Sequence, residues 1–171
     1  MAGDFLKLVN GVITEALAII TSAGAGDSGK IPKLDAAGKL DPSLMPSGIA
    51  PESRTLTASE ALSAGDLVNV WDDAGTPKMR KADADAIGKQ AHGFVLASVS
   101  SAASGTFFPE EGVITGLTSL TPGATYFLSQ TAGGITTTAP TGANVIAQVV
   151  GFALSATELQ FRPQSPVVQV A

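Results

Sequence analysis

From Arg54 to the C-terminus the chain is cut into short apolar runs by Gly- and Pro-bearing turns, and this texture limits its fold more than any other feature. Runs at Arg54–Ala58, Leu67–Trp71, Lys78–Ala82, Gly93–Val99, Thr106–Phe108, Gly112–Gly116, Ala124–Ser129, Ile135–Thr138, Val145–Leu154, Leu159–Phe161 and Val167–Val170 each read as strands. Strands recurring at about 8 to 12 residues with turn residues between them describe a β-barrel or β-sandwich. Crossover β-α-β units need longer helices than the sequence offers. Asp83–Lys89, with Asp83 as cap, is the best helical candidate and spans one or two turns at most. Leu62–Trp71 and Leu120–Ser129 share an apolar-turn-Gly-strand texture, an internal echo too loose by itself to establish a duplication.

A chain of 171 residues holds one core domain plus appendages. It is 44% hydrophobic but only 5% aromatic, with 19 Gly and 10 Pro, so the core must be built mainly from aliphatic side chains on turn-rich strands. The expected fold class is all-β: a short-stranded barrel or sandwich over residues 54–171, preceded by an extended N-terminal arm over residues 1–53.

The arm differs in kind. Asn10-Gly11 stands between Lys7-Leu8-Val9 and Val12-Ile13-Thr14, and both central residues tolerate positive φ, so a two-stranded hairpin is expected. Glu15–Ile20 is long enough for a helical turn but not for a stable helix. Ser22–Gly29 is small and flexible and reads as a loop. Beyond it, Ile31, Leu34, Leu40, Leu44 and Met45 are single apolar residues set among turn-formers: Asp35–Gly38 reads as a turn, and Asp41-Pro42-Ser43-Leu44 as a cap, a first-position proline and one helical turn. Ordering a residue costs about 1 to 2 kcal/mol and a buried Leu or Ile returns about 1.5 to 3. Anchors this sparse barely balance, so the arm should order against a surface. Phe5, Leu6, Leu8, Val9 and Ile13 form one candidate anchor set for such a surface, supplied by the chain's own domain, a sister subunit or another protein, and Ile31, Leu34, Leu40, Leu44 and Met45 the other.

Several functional classes find no support in the residues. Ten Lys and Arg against fifteen Asp and Glu give a net charge of -5, a poor match for nucleic acid, which rewards clustered basic residues. Cys is absent, so no disulfide or thiolate metal site is expected, and a single histidine, His92, forbids a His-rich one. No cofactor is expected. His92 at the mouth of a strand is more often a hydrogen-bonded structural residue than a catalytic one. Asp66, Asp72, Asp73, Asp83, Asp85, Glu110 and Glu111 lie mostly in turns, where acids are usually solvated rather than paired for hydrolysis. Gly24–Lys30 only superficially resembles a phosphate loop, because Ile31 replaces the required Ser or Thr. Trp71, Tyr126, Phe107 and Phe108 offer a carbohydrate platform on paper, but aromatics on strands ordinarily pack inward or into subunit contacts. Neither a basic leader with a long apolar run nor an apolar stretch of about 18 to 20 residues is present, so neither a secretory signal nor a membrane span is expected.

The segment Gly29-Lys30-Ile31-Pro32-Lys33-Leu34-Asp35-Ala36-Ala37-Gly38-Lys39-Leu40-Asp41-Pro42-Ser43-Leu44-Met45-Pro46 resembles a linker shared by many tailed-bacteriophage virion proteins. Phe5–Glu15 with Thr21–Gly24 is similar to the start of phage capsid decoration, or cement, proteins. Leu62–Val70, Gly93–Val95, Leu120–Ser129 and Val149–Ser155 are similar to the β domain of such proteins and of some tail-fibre modules. The resemblance implies a non-enzymatic structural protein on the outer surface of the virion capsid. It implies a homotrimer, with the phage major capsid protein as partner. The alternative it carries is a tail-fibre or baseplate component acting in host attachment.

Overall fold

A computed structural model describes residues 5–45, 52–109 and 111–169. Pro46, Glu110 and Val170, which figure in the expectations above, lie outside them. The chain divides into two compact units, Met1–Ala50 and Pro51–Ala171.

In the first unit β1 (Phe5–Val9) and β2 (Val12–Ala16) form the expected antiparallel hairpin. Asn10 and Gly11 both have positive φ, 51° and 82°, the conformation whose twist matches the flanking strands. The helical turn expected over Glu15–Ile20 is absent. β2 runs on to Ala16, and Ile19 makes a parallel bridge to Pro32, donating its N–H to Ile31 and accepting from Lys33, both at 2.9 Å. Carboxylates organise the rest. Asp27 accepts from the Ala23 N–H and the Lys30 ammonium, each at 2.6 Å, and the bond to Lys30 holds its carboxyl below the ordinary value. Asp35 caps its own turn by accepting from the N–H groups of Ala37 and Lys39 at 2.8 and 2.9 Å. Asp41 accepts from the Ser43 N–H at 2.9 Å and heads a 3₁₀ turn over Pro42–Leu44, as its sequence predicts.

The second unit is all-β, with a barrel-like arrangement of strands. β3 (Arg54–Ala58), β4 (Leu67–Asp73), β5 (Thr76–Lys81), β6 (Gly93–Phe94) and β7 (Ser104–Phe107) form one sheet in the order β6-β4-β5-β3-β7. A bridge from Phe94 to Phe108 brings its two ends together, so the sheet nearly closes on itself. β8 (Gly112–Thr115), β9 (Thr125–Leu128), β10 (Ile135–Thr136), β12 (Val149–Ala153) and β13 (Glu158–Phe161) form a second, open sheet in the order β10-β9-β12-β13-β8. β11 (Val145–Ala147) pairs with β14 (Val167–Gln169).

The echo seen in the sequence is structural. Residues 58 apart, Leu62 and Leu120, Gly65 and Gly123, Gly93 and Gly151, hold equivalent places in the two sheets. Gly65 donates its N–H to Val95 and Gly123 donates to Ala153, with φ of 87° and 79°. Val68 pairs with Gly93 as Tyr126 pairs with Gly151, and Arg54 pairs with Phe107 as Gly112 pairs with Phe161. Two copies of one strand pattern therefore build the unit.

The strand period of two divides the first copy between two cores. Val68 faces inward with Ala58, Leu62, Met79, Val95, Val99 and Phe107. Its neighbour Leu67 points the other way and joins Ala82, Ala84 and Phe94 in a larger core with Ile114, Leu128, Leu159 and Phe161 from the second copy. Backbone bonds reinforce this union: Leu67 N–H to Gly133, Gly133 N–H to Ala82 and Ala84 N–H to Ser129.

Those bonds also explain three corrections. Asp83–Lys89 is not helical. Its carboxylate at Asp83 turns back to the Asp85 N–H, Gly88 takes a φ of 84°, and Ala84 spends both backbone groups on the second copy. The strand expected over Gly93–Val99 stops at Phe94, because Val95 and Val99 bond instead to the connection before β4, at Gly65, Asp66 and Leu62. The run Val145–Leu154 is split at Gln148, whose buried amide accepts from the Ala91 N–H at 2.8 Å and donates to the carbonyls of Ala91 and Gln164 at 3.0 and 3.1 Å.

Candidate functional site

The hairpin of the first unit is a ribbon with two unlike faces. Register places Leu8 opposite Ile13 and Leu6 opposite Glu15, so Leu6, Leu8, Ile13 and Glu15 share one face. Leu6, Leu8 and Ile13 on it are 68%, 70% and 69% exposed, large aliphatics left in water together, and Leu17, just beyond β2, is 65% exposed. Phe5, Lys7, Val9, Val12, Thr14 and Ala16 share the other face. There Phe5, Thr14 and Ala16 are half-buried at the open end of the ribbon, where a cleft is lined by Phe5, Lys7, Glu15–Ile19, Gly29 and Lys30, residues of both faces.

Of the anchors expected from sequence, the structure gathers Leu6, Leu8 and Ile13 and puts Phe5 and Val9 on the reverse. Ile31 and Leu34 are exposed, whereas Leu40, Leu44 and Met45 are half-buried within the unit. The anchors were expected as sets along the chain, and the structure sorts them by face. Val12 and Leu17 are exposed members that sequence reasoning left out. The signal for the two faces was present: once Asn10-Gly11 sets a two-residue turn, pairing over Phe5–Ala16 follows by counting outward.

A second cluster surrounds His92 in the β unit. Its Nδ1 accepts from the Val70 N–H at 3.0 Å, so the neutral ring carries its proton on Nε2. Asn69, fully buried, donates to the Gln90 carbonyl at 2.8 Å and accepts from Arg80 Nε at 3.0 Å. The Arg80 guanidinium lies 4.9 Å from the centre of the Trp71 ring and also donates to the Gly88 carbonyl. Burial, with the Arg80 charge adding to it, lowers the His92 pKa from its ordinary value. Hydrogen bonds from Asn69 to the Gln90 carbonyl, from the Val70 N–H to His92 and from Arg80 to Asn69 and the Gly88 carbonyl tie the 88–92 segment to β4 and β5. The cluster presents no bare nucleophile and base within reach of each other.

The aromatics are likewise engaged. Tyr126 is buried and its hydroxyl accepts from the Thr121 N–H at 3.0 Å, while Phe107 is in the first core. Phe108 stacks on Phe94 with centroids 5.3 Å apart. Among the described residues no group of three or more His, Cys, Asp or Glu is placed to hold a metal ion, and no helix is long and apolar enough to cross a membrane. Comparison with protein families, with curated proteins and with solved structures gives no match. The ribbon face bearing Leu6, Leu8 and Ile13 is the candidate surface that the N-terminal unit offers.

Proposed function

We propose that the chain is a structural, non-enzymatic virion protein that binds the outside of a tailed-phage capsid as a symmetric oligomer and stabilises contacts between major capsid subunits. The carrying observation is the N-terminal unit, which leaves Leu6, Leu8, Ile13, Ile31 and Leu34 in water on a short ribbon and linker. A monomeric domain gains nothing from such exposure, while a strap laid against protein gains from each side chain covered. The resemblance of residues 29–46 to phage virion linkers supports a capsid protein as the partner. A symmetric oligomer multiplies weak contacts per arm through high local concentration. The net charge of -5 accords with a protein partner rather than nucleic acid.

The test is co-sedimentation with expanded capsids lacking the protein. Full-length chain should load at hundreds of copies per particle, and removal of residues 1–20 should weaken loading at least about tenfold. The β unit of the shortened chain should still unfold cooperatively. Undiminished loading after the deletion would refute the anchoring role. Recovery of only a few to tens of copies, confined to tails in a particle map, would replace this reading with that of a tail-fibre or baseplate component.

A further inference from the structure

We infer that the open seam of the first sheet, along the free edge of β7, is a docking groove for an extended segment of another protein, which adds to the sheet as a short strand antiparallel to β7. Comparison of the two copies locates the seam. In the second copy β12 and β13 are zipped together: Phe152 pairs with Gln160, Leu154 donates its N–H to the Glu158 carbonyl at 2.9 Å, and Arg162 donates to Val150 at 2.8 Å. Phe107 corresponds to Phe161, so Phe108, Thr106 and Ser104 correspond to Arg162, Gln160 and Glu158. The first copy has the longer connection, with Gly93 and Phe107 fourteen residues apart against ten for Gly151 and Phe161. Phe94, the counterpart of Phe152, therefore meets Phe108 instead of Thr106, a slip of two residues. Beyond it the chain turns away, and Val95 and Val99 bond to Asp66 and Leu62.

That slip leaves an edge open. Backbone groups alternate in direction along an antiparallel strand, and Phe108 exchanges both of its bonds with Phe94, so Thr106 and Ser104 also point away from β3. Both residues are exposed, and neither has a backbone partner on that side among the described residues. Beside them lies a groove of about 570 Å³, bounded by Val99, which packs against Gly105, and by the exposed Leu96, Ala97 and Ser98. Its lining holds neither charge nor proline, the usual guards of a sheet edge. Unmet main-chain groups in line along a strand select another extended main chain. The wall made by Leu96–Ser98 admits a single strand and keeps out a second β7, which comes attached to a folded sheet. At its Phe108 end the groove adjoins a hollow of about 70 Å³ between Phe94, Leu96, Phe108 and Val113. The two carboxylates there, Glu52 and Glu111, are paired with Arg54 and Arg162, so the hollow takes a neutral aliphatic side chain of the incoming segment. The site belongs to the β unit alone and stands or falls independently of capsid binding by the ribbon.

The probe is a fluorescein-labelled peptide of the β12 strand, Gln148–Ser155, which fills the corresponding edge in the second copy, extended by lysines beyond Ser155 for solubility. In fluorescence anisotropy it should bind the full chain with a Kd of about 100 µM or tighter. Methylating the peptide nitrogens of Phe152 and Leu154, which face β13 in the second copy, should weaken binding at least about tenfold through lost main-chain bonds. Methylation at Ala153, whose N–H faces Ala124 instead, should leave it unchanged. In the protein, Thr106→Pro removes a donor at an edge position where proline is tolerated, and should abolish binding while Trp71 fluorescence reports a folded β unit. Leu96→Ser should weaken binding. In the free chain the Thr106 amide should exchange with deuterium faster than those of Gly105 and Phe107, and the peptide should slow it. Absence of binding at about 1 mM peptide would overturn the inference. So would binding that ignores methylation at Phe152 and Leu154, a test that needs no change to the protein, or binding that survives Thr106→Pro. If the wild-type chain self-associates and Thr106→Pro makes it monomeric, the occupant is a second copy, and the assignment to another protein is wrong.

Discussion

The two copies of the strand pattern in the β unit share a frame and differ in what fills it. In the first, Asn69 pairs across the hairpin with Arg80, and His92 precedes Gly93; in the second, the corresponding places hold Phe127 opposite Thr136, and Val150 before Gly151. Val150 is fully buried with no polar group to satisfy, whereas Asn69 is fully buried and needs both ends of its amide met. Backbone register is thus indifferent to whether the interior is apolar or polar. The polar version depends on complete hydrogen bonding, which Gln90, Arg80 and Val70 supply. The sheets diverge too: parallel pairing of β3 with β5 helps close the first, while the second stays open and receives Leu67, Ala82 and Ala84 of the first into its core.

If the frame is common to both copies, its strictest requirement should be common as well. A Cβ at Gly151 would fall inside the carbonyl of Gln160, and one at Gly93 would meet the carbonyl of Phe108 and the ring of Phe107. Backbone cannot yield as a flexible side chain can, so Gly151→Ala and Gly93→Ala should each cost about 3 kcal/mol or more. Urea unfolding followed by Trp71 fluorescence measures this. A loss below about 1 kcal/mol at either glycine would break the equivalence of the copies.

Those glycines also mark the limit of what the sequence made legible. Alternation and turn residues located most strands, because each depends on its own five or six residues; Asn10-Gly11, Asp35 and Asp41 were legible for the same reason. Asp83–Lys89 was misread because the groups that decide it, Ser129 and Ile146, are far along the chain. Gln148, a polar residue inside an apolar run, gave no local sign that its amide would grip Ala91. The candidate anchors were legible as apolar residues in a poorly apolar segment. Their separation into two faces was not, since it follows only once the turn has fixed the register.

The polar filling of the first copy makes the next largest difference. Asn69→Leu keeps roughly the volume but removes the acceptor for Arg80 Nε and the donor to the Gln90 carbonyl, both at a fully buried position. Unmet groups of this kind cost about 1 to 3 kcal/mol. Phe127→Leu, a change of shape at the corresponding place with no hydrogen bond lost, should cost less. Paired urea titrations decide it, and an equal or smaller loss for Asn69→Leu would mean that the polar network adds nothing to an apolar interior.

The smallest effect is a dependence on pH confined to the first copy. The Val70 N–H points at Nδ1 of His92, so a proton there would set donor against donor beside the Arg80 charge. Burial and that charge keep the folded-state pKa below the ordinary 6.5, so the unfolded chain takes up the proton first as pH falls. Stability from this group is therefore full above about pH 6.5 and is lost progressively below it, until the folded form is protonated as well. His92→Val installs the residue of the second copy. It sacrifices the acceptor for Val70 at every pH, yet it should remove this slope, so the difference in unfolding free energy between wild type and variant should narrow between pH 7.5 and 5. Carboxylates common to both proteins cancel in that difference. A gap that stays constant over the range would mean that His92 titrates alike in the folded and unfolded chain, and that the two copies differ there in packing alone.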